Sequence, residues 1–169
     1  LVRDVGDEVA ADLLDPPSSA TSPPSRLDGR STGLVASPNG SRLLVLFEDA
    51  AVLVDGGSLR PLRSFPAGDS AEFSPDGRFV AVAASHTAPD GTADRELYVV
   101  DVAEERLRWA RAVSGEVESF SWHPSSRTLA SSQGGGFVTV HDALDGHAGE
   151  PLFVGRGKRR AQITFAGAD

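Results

Sequence analysis

Ala71-Glu72-Phe73-Ser74-Pro75-Asp76-Gly77-Arg78-Phe79-Val80-Ala81-Val82-Ala83 sets two apolar stretches either side of a Pro-Asp-Gly turn, and the pattern occurs three times. Upstream it reads Leu34-Val35-Ala36-Ser37-Pro38-Asn39-Gly40-Ser41-Arg42-Leu43-Leu44-Val45-Leu46. Downstream it reads Ser119-Phe120-Ser121-Trp122-His123-Pro124-Ser125-Ser126-Arg127-Thr128-Leu129-Ala130-Ser131. Each copy is a strand, a proline-centred turn, an arginine and a second strand. Proline presets φ at the first central position of the turn, and Asn-Gly or Asp-Gly supplies the positive φ that closes a hairpin. The third copy, Pro124-Ser125-Ser126, lacks the glycine and is expected to turn more loosely. Leu43–Phe47 and Phe79–Ala84 are nearly continuous apolar runs. A strand wet on one face alternates instead, so these strands are expected to lie in sheets covered on both sides.

After each hairpin comes a third strand ending in aspartate: Ala51–Asp55, Leu97–Asp101 and Phe137–Asp142. Asp55 follows Pro38 by 17 residues and Asp142 follows Pro124 by 18, whereas Asp101 follows Pro75 by 26. The surplus falls within His86–Arg95 and predicts a protruding, mobile loop between two strands, the change a repeat tolerates most easily. Fourth strands are expected at Arg60–Phe65, Arg106–Val113 and Glu150–Val154. Ala161–Phe165 looks like the first strand of another unit. Units of roughly 40 residues with four antiparallel strands are the signature of β-propeller blades. The sequence therefore predicts an all-β chain with blades over 31–66, 69–114 and 117–155 and the start of a next blade at 161–169. Propeller rings usually close with four to eight blades, so three and a strand leave apolar faces to be covered by further blades or by a second copy.

The first 30 residues differ. Val2, Val5, Val9 and Leu13 fall on one face of a helix, which predicts a short helical lead-in over 1–15. Pro16-Pro17-Ser18-Ser19-Ala20-Thr21-Ser22-Pro23-Pro24-Ser25 removes four backbone donors and opposes helix, giving a linker over 16–30. The remaining 139 or so residues are the propeller portion, 31–169.

Composition excludes several functions. There is no cysteine, hence no disulfide framework, thiol nucleophile or cysteine zinc site. The longest apolar run, Phe79–Ala84, is far short of the ~20 residues of a membrane helix. A net charge of −8 argues against nucleic acid, which rewards clustered basic charge. All basic residues but Lys158 are arginine, which reads as the mark of a GC-rich, bacterial coding sequence. The absence of methionine points to a chain processed or excised from something longer.

Phe73-Ser74-Pro75-Asp76-Gly77-Arg78 followed by Leu97-Tyr98-Val99-Val100-Asp101 resembles the WD-repeat and TolB-like propeller superfamily, over residues 31–169. The third strands end in Val-Asp, Val-Asp and His-Asp in place of Trp-Asp, as in a divergent member. The resemblance implies partner proteins bound through loops on the flat faces. It also implies a hydrogen-bond network pinning each blade, with His123 and Asp142 as candidates. Similar motifs occur in the regulatory propellers of prolyl-oligopeptidase-type peptidases, whose hydrolase would lie outside this chain, and in TolB-like periplasmic components.

No residue pattern adds chemistry of its own. There is no Gly-x-Ser-x-Gly elbow. Gly155-Arg156-Gly157-Lys158-Arg159-Arg160 lacks the first glycine and the hydroxyl of a phosphate loop and reads as a solvated basic loop. His86, His123, His141 and His147 have no metal spacing. Asp90-Gly91-Thr92-Ala93-Asp94 is a hairpin loop with too few ligands for Ca²⁺. Asn39-Gly40-Ser41 matches a glycosylation acceptor but sits in a turn. Asp55, Asp101 and Asp142 recur at one repeat position, which predicts bonding to turn amides. Trp109 and Trp122 are expected in core or interblade packing. The sequence thus predicts a cytoplasmic, non-catalytic protein-interaction module of a larger multidomain bacterial protein, with no catalytic, metal or cofactor residues.

Overall fold

A computed structural model describes residues 30–87, 93–113, 115–155 and 163–165. The lead-in and linker predicted over 1–30 fall almost wholly outside these residues. The described residues form three four-stranded antiparallel sheets. The first holds β1 (Ser31–Ala36), β2 (Arg42–Phe47), β3 (Ala50–Asp55) and β4 (Pro61–Pro66) in that order. The second holds β5 (Ser70–Phe73), β6 (Phe79–Thr87), β7 (Ala93–Asp101) and β8 (Arg106–Ala112). The third holds β9 (Val117–Trp122), β10 (Thr128–Gln133), β11 (Phe137–Asp142) and β12 (Leu152–Phe153). Each sheet is an up-and-down meander, one blade of a propeller.

The apolar runs behave as their composition requires. Leu44 and Leu46 from β2, with Leu53 and Phe65, pack one face of the first blade against Val80, Val82, Tyr98 and Val100 of the second. Phe79, Ala81, Leu97 and Val99 point the other way and meet Trp122 and Leu129 of the third blade. Alternate residues of β6 thus serve two interfaces, which is why the strand is apolar at every position from Phe79 to Ala84. Tyr98 is wholly buried, and its hydroxyl is satisfied by donating to the Pro66 carbonyl at 2.6 Å.

Four sequence expectations need correction. The insertion in the second blade is not a loop from His86 onward. The β6–β7 ladder continues without a break through Ser85↔Arg95, His86↔Asp94 and Thr87↔Ala93, and only 88–92 lie outside the described residues. Opposed His86 and Asp94 and the β-branched Thr87 favour an extended hairpin over an open loop.

The third turn is as tight as the others. The amides of Gly40, Gly77 and Ser126 donate to the carbonyls of Ser37, Ser74 and His123 at 2.8 Å in all three. Ser126 takes φ 59° where Gly40 and Gly77 take 69° and 70°. A buried Ser126 hydroxyl, accepting the Asp76 amide of the preceding blade at 3.1 Å, helps hold a conformation that otherwise favours glycine.

The last strand of the third blade is only Leu152–Phe153, because Pro151 interrupts the donor pattern next to it. Finally, Ile163–Phe165 forms no strand. The Ile163 amide donates to Ser119 Oγ at 3.3 Å, and the Phe165 ring meets His123 edge-on with centroids 5.0 Å apart. These residues therefore run beside β9, on the side of the third blade away from the second.

Candidate functional site

The β1–β2, β5–β6 and β9–β10 turns lie at the same end of the sheets as the β3–β4, β7–β8 and β11–β12 turns. Hydrogen bonds Gly56 N to Ser41 O, Val102 N to Arg78 O and Ala143 N to Arg127 O, each 2.9 Å, tie each pair together. The repeat residues build this end. Ser37 and Ser74 donate their hydroxyls to Asn39 and Asp76 at 2.9 and 2.6 Å and accept the amides of Arg42 and Phe79 at 3.0 and 2.9 Å. Asn39 Oδ1 also accepts the Ser41 amide and hydroxyl, so the glycosylation-like triplet is occupied in closing the turn. In the third blade His123 replaces the serine: its Nδ1 accepts the Ser125 amide at 3.1 Å and lies 2.7 Å from the Ser125 hydroxyl.

The recurrent aspartates do what their recurrence suggests. Asp55 Oδ1 accepts the Ser58 amide and hydroxyl at 2.8 Å, Asp101 Oδ1 the Glu104 amide at 3.2 Å, and Asp142 Oδ1 the Leu144 amide at 2.7 Å. The Ser58 bonds, helped by Arg42, hold the Asp55 carboxyl below its ordinary range. Each aspartate also opens a turn whose fifth residue has positive φ: Leu59 at 57°, Glu105 at 51° and Gly146 at 69°. This last regularity has no residue signature, since leucine and glutamate stand where glycine is expected.

The second and third blades are joined by a clasp that no motif announces. Three side chains of β8 capture four successive carbonyls of the β11–β12 turn. Trp109 Nε1 donates to Ala143 at 3.0 Å and Arg108 Nε to Leu144 at 2.8 Å. Arg111 donates from Nη2 to Asp145 at 3.1 Å and from Nε to Gly146 at 3.3 Å. Gly146 lies against the indole face, where a Cβ would stand 2.6 Å from Trp109 Cδ2. His141 stacks on the same indole with centroids 5.8 Å apart and planes 23° apart. Its Nε2 lies 3.1 Å from Ser131 Oγ, and its Nδ1 is buried with no partner. Burial, with the nearby Arg111 charge, pushes the imidazole pKa down to about 4, so it is neutral in the clasp.

Trp122 completes the interface, stacking on Phe79 at 6.2 Å and donating to the Glu72 carbonyl of the second blade at 3.0 Å. Both tryptophans are thus interblade residues, as expected. The pinning network is not the one the resemblance implied. His123 and Asp142 each serve a local turn, and the histidine buried in the third blade is His141, 3.1 Å from the equally buried Ser131 hydroxyl.

Beside the clasp, at the turn end, a groove of about 470 Å³ separates the second and third blades. It is lined by Asp76, Arg78, Ser125, Arg127, Asp142 and Leu144, among others. Partial burial pushes Asp76 up, but hydrogen bonds from Ser74, the Arg78 amide and Ser126 outweigh it and leave the carboxyl below its ordinary range. Of the other histidines, His86 faces Asp94 across an exposed hairpin and lines a cavity of about 310 Å³ with Glu48, Asp69 and Ser85, and His147 closes the β11–β12 turn through its backbone. Among the described residues no group of three His, Asp or Glu could hold a metal ion, and no helix is long and apolar enough to cross a membrane. Of the basic run Gly155–Arg160, only Gly155 is described.

No protein-family model matches the sequence, and no curated protein does. Solved structures do. The WD40 repeats of RRP9 superpose with a TM-score of 0.56 at 19% identity, over 75% of this chain and 39% of that one. The β-propeller domain of Cps50 (Swd1) from Myceliophteria thermophila gives 0.58 at 15% identity, over 73% and 38%. Hydrazine synthase of Kuenenia stuttgartiensis gives 0.54 at 19% identity, over 66% and 39%. The fold is therefore that of a β-propeller, shared with WD40-repeat proteins. The chain spans about two fifths of the length of the solved proteins it matches. One of these neighbours is by name a synthase, so the fold alone does not decide between binding and catalysis.

Proposed function

We propose that this chain is a non-catalytic protein-interaction module, part of a propeller completed by further blades. The observation that carries the reading is the distribution of uncommitted groups. Carboxylates and histidines at the turn end are occupied in closing turns or filling the clasp, and the groove beside them opens to solvent. That arrangement supports binding through the turn face: even the Ser125 hydroxyl, 2.7 Å from His123 Nδ1, sits in a closed turn where that nitrogen already accepts the Ser125 amide.

Equivalent positions in the three blades point to completion of the ring. Val140 of β11 stands where Leu53 and Val99 stand in the first two blades. Those are wholly buried against the next blade, while Val140 is 44% exposed. Leu152, on the same face, is 65% exposed. Ile163–Phe165 enters along β9, where the inner strand of a next blade belongs. We place the module in the cytoplasm of a bacterium, within a multidomain protein.

A photoreactive residue in place of Leu144, which is exposed beside the groove, tests the reading in source cells. We expect it to cross-link a separate protein, whereas the same probe at His86, at the opposite end, does not. Specific turnover of a substrate by the purified chain, abolished by replacing one histidine or aspartate, would overturn the non-catalytic reading.

A further inference from the structure

Arg78 and Arg127 occupy one repeat position, immediately after the positive-φ residues Gly77 and Ser126, and both line the groove between the second and third blades. In the first blade that position is Ser41, and the guanidinium comes one residue later at Arg42. There it lies directly opposite Asp55 in the ladder and pairs with it at 3.0 Å. Phe79 and Thr128 take the place of Arg42 in the other two blades, opposite Asp101 and Asp142. The shift of one residue turns the arginine out of the ladder. Arg78 reaches Asp101 only at 4.0 Å, lies over the Phe79 ring 4.8 Å from its centroid, and leaves 54% of its side chain exposed. Arg127 is exposed and, among the described residues, has no side-chain hydrogen bond or ion pair.

The two carboxylates of the same groove are differently placed. Asp76 Oδ1 accepts the Ser74 hydroxyl and the Arg78 amide, and Asp142 Oδ1 accepts the Leu144 amide. They hold the turns in shape, while beside them Arg127 has no side-chain hydrogen bond or ion pair among the described residues and Arg78 is held only by the long contact to Asp101 and the Phe79 ring, so both can turn to an anion from outside. Two planar forks one blade apart suit two acid groups along one strand of peptide better than a single small ion.

We propose that this groove binds an acidic peptide segment of a partner protein, with carboxylate side chains held by Arg78 and Arg127. The proposal rests on the interaction-module reading and names the partner's chemistry. The chain carries a net charge of −8, so its overall field repels a polyanion. Binding of one therefore reports a local site.

The probe is fluorescein-labelled hexaglutamate, titrated by anisotropy with the full chain at low salt. Saturable binding is expected, weakening as salt rises. Arg127→Gln should weaken it about tenfold and Arg78→Gln with Arg127→Gln further, at ~1.4 kcal/mol per decade. Arg60→Gln, an exposed arginine on the first blade, should leave it unchanged. Among the described residues the Arg127 side chain makes no hydrogen bond or ion pair, and the carbonyl that accepts the Ala143 amide is untouched by substitution, so its single variant separates recognition from misfolding. Absence of saturation at millimolar protein, or equal affinity in the double variant, overturns the proposal. So does equal displacement by inorganic phosphate at matched charge, which would mark a small-anion site. If hexaglutamate fails while the cross-link from position 144 persists, the acidic-peptide assignment falls and the interaction-module reading stands. Loss of both overturns both.

Discussion

Trp109→Ala is expected to destabilise the chain by about 3–5 kcal/mol, the range for removing a large buried aromatic side chain. The indole is 5% exposed, fills the interface with Ala143 and His141, and donates the hydrogen bond that anchors the turn of the third blade. Its loss leaves a cavity between blades and an unsatisfied Ala143 carbonyl. Gly146→Ala probes the same contact from the other side. The added methyl meets Trp109 Cδ2 at 2.6 Å and forces an alanine to φ 69°, so a loss of about 2–4 kcal/mol is expected from overpacking and backbone strain together. Urea unfolding followed by tryptophan emission measures both. In each variant the third blade should unfold before the first two. A change below about 1 kcal/mol in either would contradict the clasp.

Acid should open the same interface. The His141 imidazole titrates near 6.5 in the unfolded chain and near 4 in the fold. Above pH 6.5 both states are neutral and no stability is lost. As the pH falls from 6.5 towards 4 the unfolded state takes up a proton that the fold refuses. Stability declines through that window by about 3 kcal/mol and then levels off. Asp55 and Asp76, with lowered carboxyl pKa values, lose their contributions only as pH falls below about 4. Half-buried Glu72 and Glu96, pushed up by burial, act in the opposite sense above pH 4.5 and partly offset the histidine. The comparison is therefore between wild type and His141→Phe, which keeps a ring against Trp109 and removes the titration. Melting temperature should fall more steeply between pH 7 and pH 4.5 in the wild type. Equal slopes would mean that His141 takes up its proton without leaving the interface.

How much of this was legible follows from what each feature depends on. Ser-Pro-Asn-Gly and Ser-Pro-Asp-Gly encode their turns locally, and Leu43–Phe47 and Phe79–Ala84 declare their two-sided burial. Blades, strand order and the capping role of Asp55, Asp101 and Asp142 could therefore be read directly. The extension of β6 and β7 through Thr87 and Ala93 could not, because Ser85-His86-Thr87 is polar and lacks a burial pattern. Ser126 hid a glycine-like turn, since what holds it is a hydrogen bond to Asp76, 50 residues away. The clasp was invisible for the same reason. Arg108, Trp109 and Arg111 recognise backbone carbonyls some 34 to 36 residues ahead, and a carbonyl has no letter in the sequence. The alternation on β8 was the available signal, because a tryptophan on an outer strand must face a neighbouring blade. The arginine groove was partly legible, in the one-residue offset between Arg42 and its counterparts Arg78 and Arg127.

The central claim is that the far side of the third blade is an interface for another blade. Uncovered, a few hundred Å² of apolar surface at ~25 cal/mol per Å² forfeits several kcal/mol, a large share of a domain's ~5–15 kcal/mol. The direct measurement is light scattering with hydrophobic-dye binding on this chain and on its Val140→Ser, Leu152→Ser variant. The wild type should self-associate or bind dye strongly, and the variant should do so much less. A sharply melting monomer that binds no dye, and that the two substitutions leave unchanged, would contradict the claim.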